Sequence, residues 1–235
     1  MKILITGGCS FAELAGGIVD TWPKHLNNNL ENYHHISTGI GSTGNGLISR
    51  RVLYQVQKNL QHANDMIVGI SWSGPDRADF YMNLPPDMGN FTGAKNPNSV
   101  VENYNNWIIM NPRWDHSLIQ NYYTNFHDSI AQLVYSYEHI LRLQWFLNQH
   151  NIKYFMTTMD GQTFPEKHIS HHEVKHLYNL IDWTKFLPVT GIYEWCRDFS
   201  NLEFPAKGDR HPSSQQHGLF TSNIIIPFLK EKGHL

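Results

Sequence analysis

Four short apolar runs, separated by helix-period sequence, constrain this 235-residue chain more than any other feature. They cover residues 2–6, 33–37, 66–71 and 152–158. Between the second and third, Ile48, Val52, Val56 and Leu60 recur at i, i+4, the stripe of a helix with one buried face. Residues 128–148 predict the longest helix, its core face carrying Ile130, Leu133, Val134, Tyr137, Leu141 and Trp145. Shorter helices are predicted over 20–30, 168–180 and 213–229, the last capped by Ser213 or Ser214. Residues 182–195 read as a short fifth strand or a loop. Strands alternating with helices imply an α/β fold: a three-layer α/β/α sandwich around a parallel sheet of about five strands.

Residues 75–126 fit no regular element. Asn, Pro and Gly punctuate this stretch, and it also holds Trp and Tyr, an aromatic content that argues against disorder. The expectation is one domain over 1–235, with an aromatic-rich insertion at about 75–127 lying over the carboxyl edge of the sheet. Exposed rings suit the face of a sugar or a protein interface, while a ring-rich core is the alternative reading of each Trp.

The formal net charge of −2 supplies no electrostatic footprint for nucleic acid. Two cysteines, Cys9 and Cys196, do not make a disulfide framework. No apolar run is long enough to span a membrane, and the first residues lack the pattern of a signal peptide. The chain therefore reads as cytoplasmic or virion-associated, with no nucleic-acid or membrane partner; its oligomeric state is not set by the sequence.

The first run stops at Gly7-Gly8, and Cys9-Ser10 follow where residues 11–14 begin a helix. Such a turn projects a hydroxyl beyond the sheet, with free helix N–H groups nearby to receive negative charge. Ser10 is thus a candidate nucleophile, or alternatively the cap of that helix. Far away, Gly208-Asp209-Arg210-His211-Pro212 precedes the last helix. In parallel sheets ligands bind at the carboxyl ends of the strands, where Ser10, the glycine-rich loop around Gly44 and Ser73 all fall.

The two ends together, GGCSF and GDRHPSS, resemble the SGNH (GDSL-like) hydrolase superfamily. They look most like its small G-C-S-F branch of phage and bacterial proteins. The resemblance implies a flavodoxin-like sheet and a serine esterase needing no metal or cofactor. It gives Ser10 the role of nucleophile, His211 that of base and Asp209 that of the acid orienting the base. Asp209 stands two residues before His211, where the superfamily usually has three. The oxyanion donors implied are the Ser10 amide, Gly44 and a third-block Asn. This chain has no such Asn; Ser73 lies nearest its position, with Ser71 as the alternative. The substrate implied is a small-molecule or carbohydrate ester. Acyl transfer and a non-catalytic virion or carbohydrate-binding protein are the rival readings.

Two further groups stand out. Cys9 beside Ser10 reads as a rival nucleophile or, better, a small packing residue. His168, His172 and His176 recur at i, i+4, i+8, spacing that can hold zinc but also suits a solvated helix face.

Overall fold

Ile3, Leu4 and Ile5 are wholly buried because their strand runs through the interior of a parallel sheet. The computed structural model describes residues 1–13, 20–81, 107–113 and 115–235. Its strands are β1 (Lys2–Gly8), β2 (Tyr33–Ser37), β3 (Met66–Trp72), β4 (Ala78–Tyr81), β5 (Trp107–Met110) and β6 (Lys153–Thr158). Four of them form one parallel sheet in the order β2-β1-β3-β6. The register places Ile5 beside Ile36 on one side and Val68 on the other.

The helices are α1 (Trp22–Asn29), α2 (Asn45–Lys58), α3 (Ser117–Asn125), α4 (Ser129–Gln149), α5 (Glu166–Ile169), α6 (His172–Leu180), α7 (Ile192–Phe199), α8 (Ser214–Phe220) and α9 (Ile226–Glu231). Successive strand residues point to opposite faces, so β1 sends Ile3 and Ile5 into one core and Leu4 into the other. The first core is closed by the stripes of α2, α4 and α6, through Val52, Leu141 and Val174 among others. The second is closed by α1, α7 and the C-terminal helices, through Leu26, Trp195 and Phe220. Both faces are therefore covered, and the chain is an α/β protein of three layers.

Five of the sequence expectations change. The fifth strand reduces to a single parallel bridge between Met156 and Phe186. Leu187 donates its N–H to Met156 O at 2.9 Å, but Pro188 follows and has no N–H to continue a ladder. Residues 75–126 do contain regular structure: β4 and β5 pair antiparallel, Ala78 opposite Met110, and α3 packs on them through Ile119. The expected helix over 168–180 is broken into α5 and α6, with His171 capping the second. Trp145, placed on the core face of α4, is 56% exposed. The final helix does follow Ser213, but a π-helical stretch, Thr221–Ile225, joins α8 to α9. Residues 14–19 and most of the aromatic tract, 82–106, lie outside the described residues, as does the end of the helix expected at 11–14.

Burial holds three histidines neutral: His35 and His139 are pushed down to about 4 and His217 to about 3. Their unfolded forms take up protons near 6.5, so these groups favour unfolding as pH falls below that value. Asp79 acts in the opposite sense, because burial raises it to about 6 and its folded form binds a proton first. Glu13 and Asp160, also raised by burial, act with Asp79, and His234, lowered by burial, acts with the three histidines, whose shifts span the range between pH 7 and 5. Thermal unfolding followed by circular dichroism should show a midpoint lower at pH 5 than at pH 7, by roughly 5 °C or more. A midpoint that holds or rises would contradict this assignment of neutral histidines.

Candidate active site

Gly8 ends β1 at φ +156°, and a Cβ there would lie 2.8 Å from both Ala12 Cβ and Ser71 O. Only glycine lets the chain turn this closely under β3. The turn sends Cys9 inward, fully buried, with Sγ 3.7 Å from Met159 Sδ. Ser10 faces outward and begins a single 3-10 turn, Ser10–Ala12, closed by Ala12 N–H on Cys9 O at 2.9 Å. The residue at the cap position is Cys9, so Ser10 does not serve as the cap.

The Ser10 hydroxyl lies 2.8 Å from His211 Nε2. The other ring nitrogen, Nδ1, lies 2.6 Å from Asp209 Oδ1, and that oxygen also accepts the His211 backbone N–H at 2.9 Å. This side-chain turn is how a two-residue spacing brings the carboxylate onto the ring. The His211 amide, and then the ring itself, hold the Asp209 carboxyl below its ordinary range. With the carboxylate ionised, Nδ1 carries the proton and Nε2 is left to accept from Ser10. A hydroxyl placed on such an imidazole can be deprotonated as it attacks a carbonyl.

The loop bearing these residues is fixed from both sides. Below, the His211 ring lies on Phe11 with centroids 5.1 Å apart, and Phe11 meets buried His217 edge-on. Behind, Ser213 and Gln216 form a reciprocal cap on α8. Gln216 Nε2 donates on to Ser200 Oγ and Leu202 O. Arg210 turns the opposite way, 3.4 Å from the Asp160 carboxylate and over the Tyr193 ring. The side chains of His211 and Asp209 remain 50% and 43% exposed, so the pair faces solvent.

The residues expected to bind an oxyanion lie differently. Gly44 precedes α2, where a Cβ would fall 2.5 Å from Arg77 O, and its N–H is donated to Asp79 Oδ1 at 3.0 Å. The other oxygen of Asp79 accepts from Leu47 N–H at 3.1 Å. Ser73 is fully buried, its N–H and C=O both engaged by the side chain of Asn45. Among the described residues neither Ser73 Oγ nor Ser71 Oγ has a hydrogen-bond partner. At Gly41 a Cβ would fall 4.0 Å from Ser10 Cβ, and the Gly41 N–H donates to the half-buried Glu13 carboxylate. Burial raises Glu13 above its ordinary range.

Sequence reasoning missed Glu13, Asp79 and Arg210. Arg210 had a visible signal, since it stands between two singled-out residues. Glu13 and Asp79 had none, because each acts on a glycine amide distant in sequence. His168 is on α5 and His172 and His176 are one turn apart on α6, so the three do not line a single helix face. Among the described residues no three His, Cys, Asp or Glu side chains gather as a metal site would need, and no helix is long and apolar enough to cross a membrane.

No family model matches the chain, and no curated protein matches it. Among solved structures it is similar to a crystal structure of TesA, with 14% identity, a TM-score of 0.48, and 98% of this chain and 99% of that one covered. It is also similar to the acetyl xylan esterase AlAXEase, with 11% identity, a TM-score of 0.41, and 94% and 96% covered.

Proposed function

We propose that the protein is a serine esterase of SGNH type that works through an acyl-Ser10 intermediate. The observation that carries this reading is the chain of contacts from Ser10 Oγ to His211 Nε2 and from His211 Nδ1 to Asp209. In the first step His211 takes the Ser10 proton as Oγ attacks the ester carbonyl, then gives it to the departing alcohol. In the second step His211 activates water, which releases the acid and restores Ser10. Asp209 keeps the imidazole in the required tautomer and stabilises its charged form. The oxyanion falls to the Ser10 amide, joined by the Gly41 amide when substrate displaces Glu13. The substrate class is a short acyl ester, and exposed Tyr81 beside Trp107 offers rings against which an acetylated sugar would stack.

One observation favours a non-catalytic binding protein instead. The Gly44 amide is committed to Asp79 and Ser73 is buried, which leaves fewer donors for a developing charge. Turnover decides between the two. Hydrolysis of p-nitrophenyl acetate at neutral pH, with acetate release from an acetylated xylo-oligosaccharide, is the result expected of the esterase. Absence of turnover on both would favour the binding protein.

A further inference from the structure

We propose that the cavity at the start of α2 binds a phosphate group carried on a flat ring. The cavity, about 210 Å³, lies between α2, β4 and α4. It is lined by Arg50 and Arg77, and Arg142 stands behind its wall with Nη2 on Ser49 Oγ at 2.9 Å. Against these three guanidinium groups the cavity offers one carboxylate among the described residues, Asp79. That carboxylate is already occupied by the Gly44 and Leu47 amides. None of the three arginines makes a close ion pair with a described carboxylate. Among the described residues, buried Arg77 Nη1 and buried Arg142 Nε have no hydrogen-bond partner.

Like charges gathered this closely repel, and buried N–H groups without acceptors are costly. The repulsion is visible in Arg142, which burial and then the Arg50 charge push below its ordinary range. His139, on the same wall, is held neutral by burial and by the Arg142 and Arg50 charges, so it adds no positive charge to theirs. Three positive groups against the one lining carboxylate leave an excess of positive charge, which a doubly charged oxyanion offsets better than a singly charged one; Asp160, outside the lining, also acts on Arg77. Guanidinium groups match phosphate oxygens in geometry as well as charge, and the Arg50 guanidinium carbon stands over the Trp107 ring, 4.5 Å from its centroid.

The rest of the ligand follows from the rim. Phe126 and Tyr135, 73% and 52% exposed, line the cavity with exposed Phe80. Three exposed rings around a cationic floor suit a planar body bearing the anion. Asn45 and Ser136 line the same cavity, and Asn45 also holds the Ser73 backbone. The cavity therefore adjoins the loops at the carboxyl end of the sheet. Its occupancy does not depend on the esterase reading.

Titration calorimetry at constant ionic strength tests this with phenyl phosphate, inorganic phosphate and benzoate. Saturable binding of phenyl phosphate is expected, tighter than benzoate by about tenfold or more. Arg77→Gln and the more exposed Arg50→Gln should each weaken it by about tenfold, with thermal midpoints in the absence of anion close to that of the native protein. Phe126→Ala, at an exposed rim position, should weaken phenyl phosphate while leaving inorganic phosphate unchanged. Absence of saturable heat up to about 10 mM phenyl phosphate would overturn the proposal. So would undiminished binding in both arginine variants, or benzoate binding as tightly as phenyl phosphate.

Discussion

Ser10→Ala is expected to lower kcat for p-nitrophenyl acetate by on the order of 10⁴–10⁶, while the fold persists. The loss is large because the members of a nucleophile–base–acid set act together, and removing the nucleophile disables the other two. The fold should persist because Ser10 Oγ is partly exposed and its contact is with a solvent-facing His211 side chain. Cys9→Ala gives the opposite pattern. Its sulfur lies in the second core against Met159, so the change should lower the thermal midpoint and leave the specific activity of folded protein intact. Activity kept in Ser10→Ala and lost in Cys9→Ala would move the nucleophile to the neighbouring residue.

The sheet was legible in the sequence because buried parallel strands read as short continuous apolar runs. Ile3-Leu4-Ile5 and Met66-Ile67-Val68 announce both their burial and their ends. The longest helix was equally plain, since Asp128 caps it and its stripe repeats over many turns. What failed was long-range or marginal. The β4–β5 pair joins residues about 30 positions apart, and each strand is four residues long, too short for a period to emerge. The bridge at Phe186 is cut short by a proline whose effect depends on what lies beside it. Trp145 satisfied the helical period but not the packing, because the stripe of a long helix drifts past the edge of what covers it. At the site, the proximity of Ser10 and His211 could be inferred from two short motifs. The destination of the Gly44 amide could not, because Asp79 sits in a strand that local pattern did not disclose.

That last point sets up the sharpest test of enzyme against inert binding protein. A fluorophosphonate reacts with a serine only when its hydroxyl is activated and donors receive the tetrahedral oxyanion, so it probes both halves of the site at once. The native protein should acquire one adduct at neutral pH, mapped by peptide digestion to Ser10. His211→Gln should stop labelling, because no other described group contacts Ser10 Oγ as a base. Asp209→Asn should slow it by on the order of 10²–10⁴, since a neutral amide no longer stabilises the imidazolium that forms and its NH₂ group competes to present a donor to Nδ1. Ser73→Ala should change the rate little, because that side chain is wholly buried and its backbone is held by Asn45. Slowing by about 10–10³-fold would instead make Ser73 an oxyanion donor, the range seen when one such group is lost. Folded protein that takes no label at Ser10 would leave the binding protein as the better account of the chain.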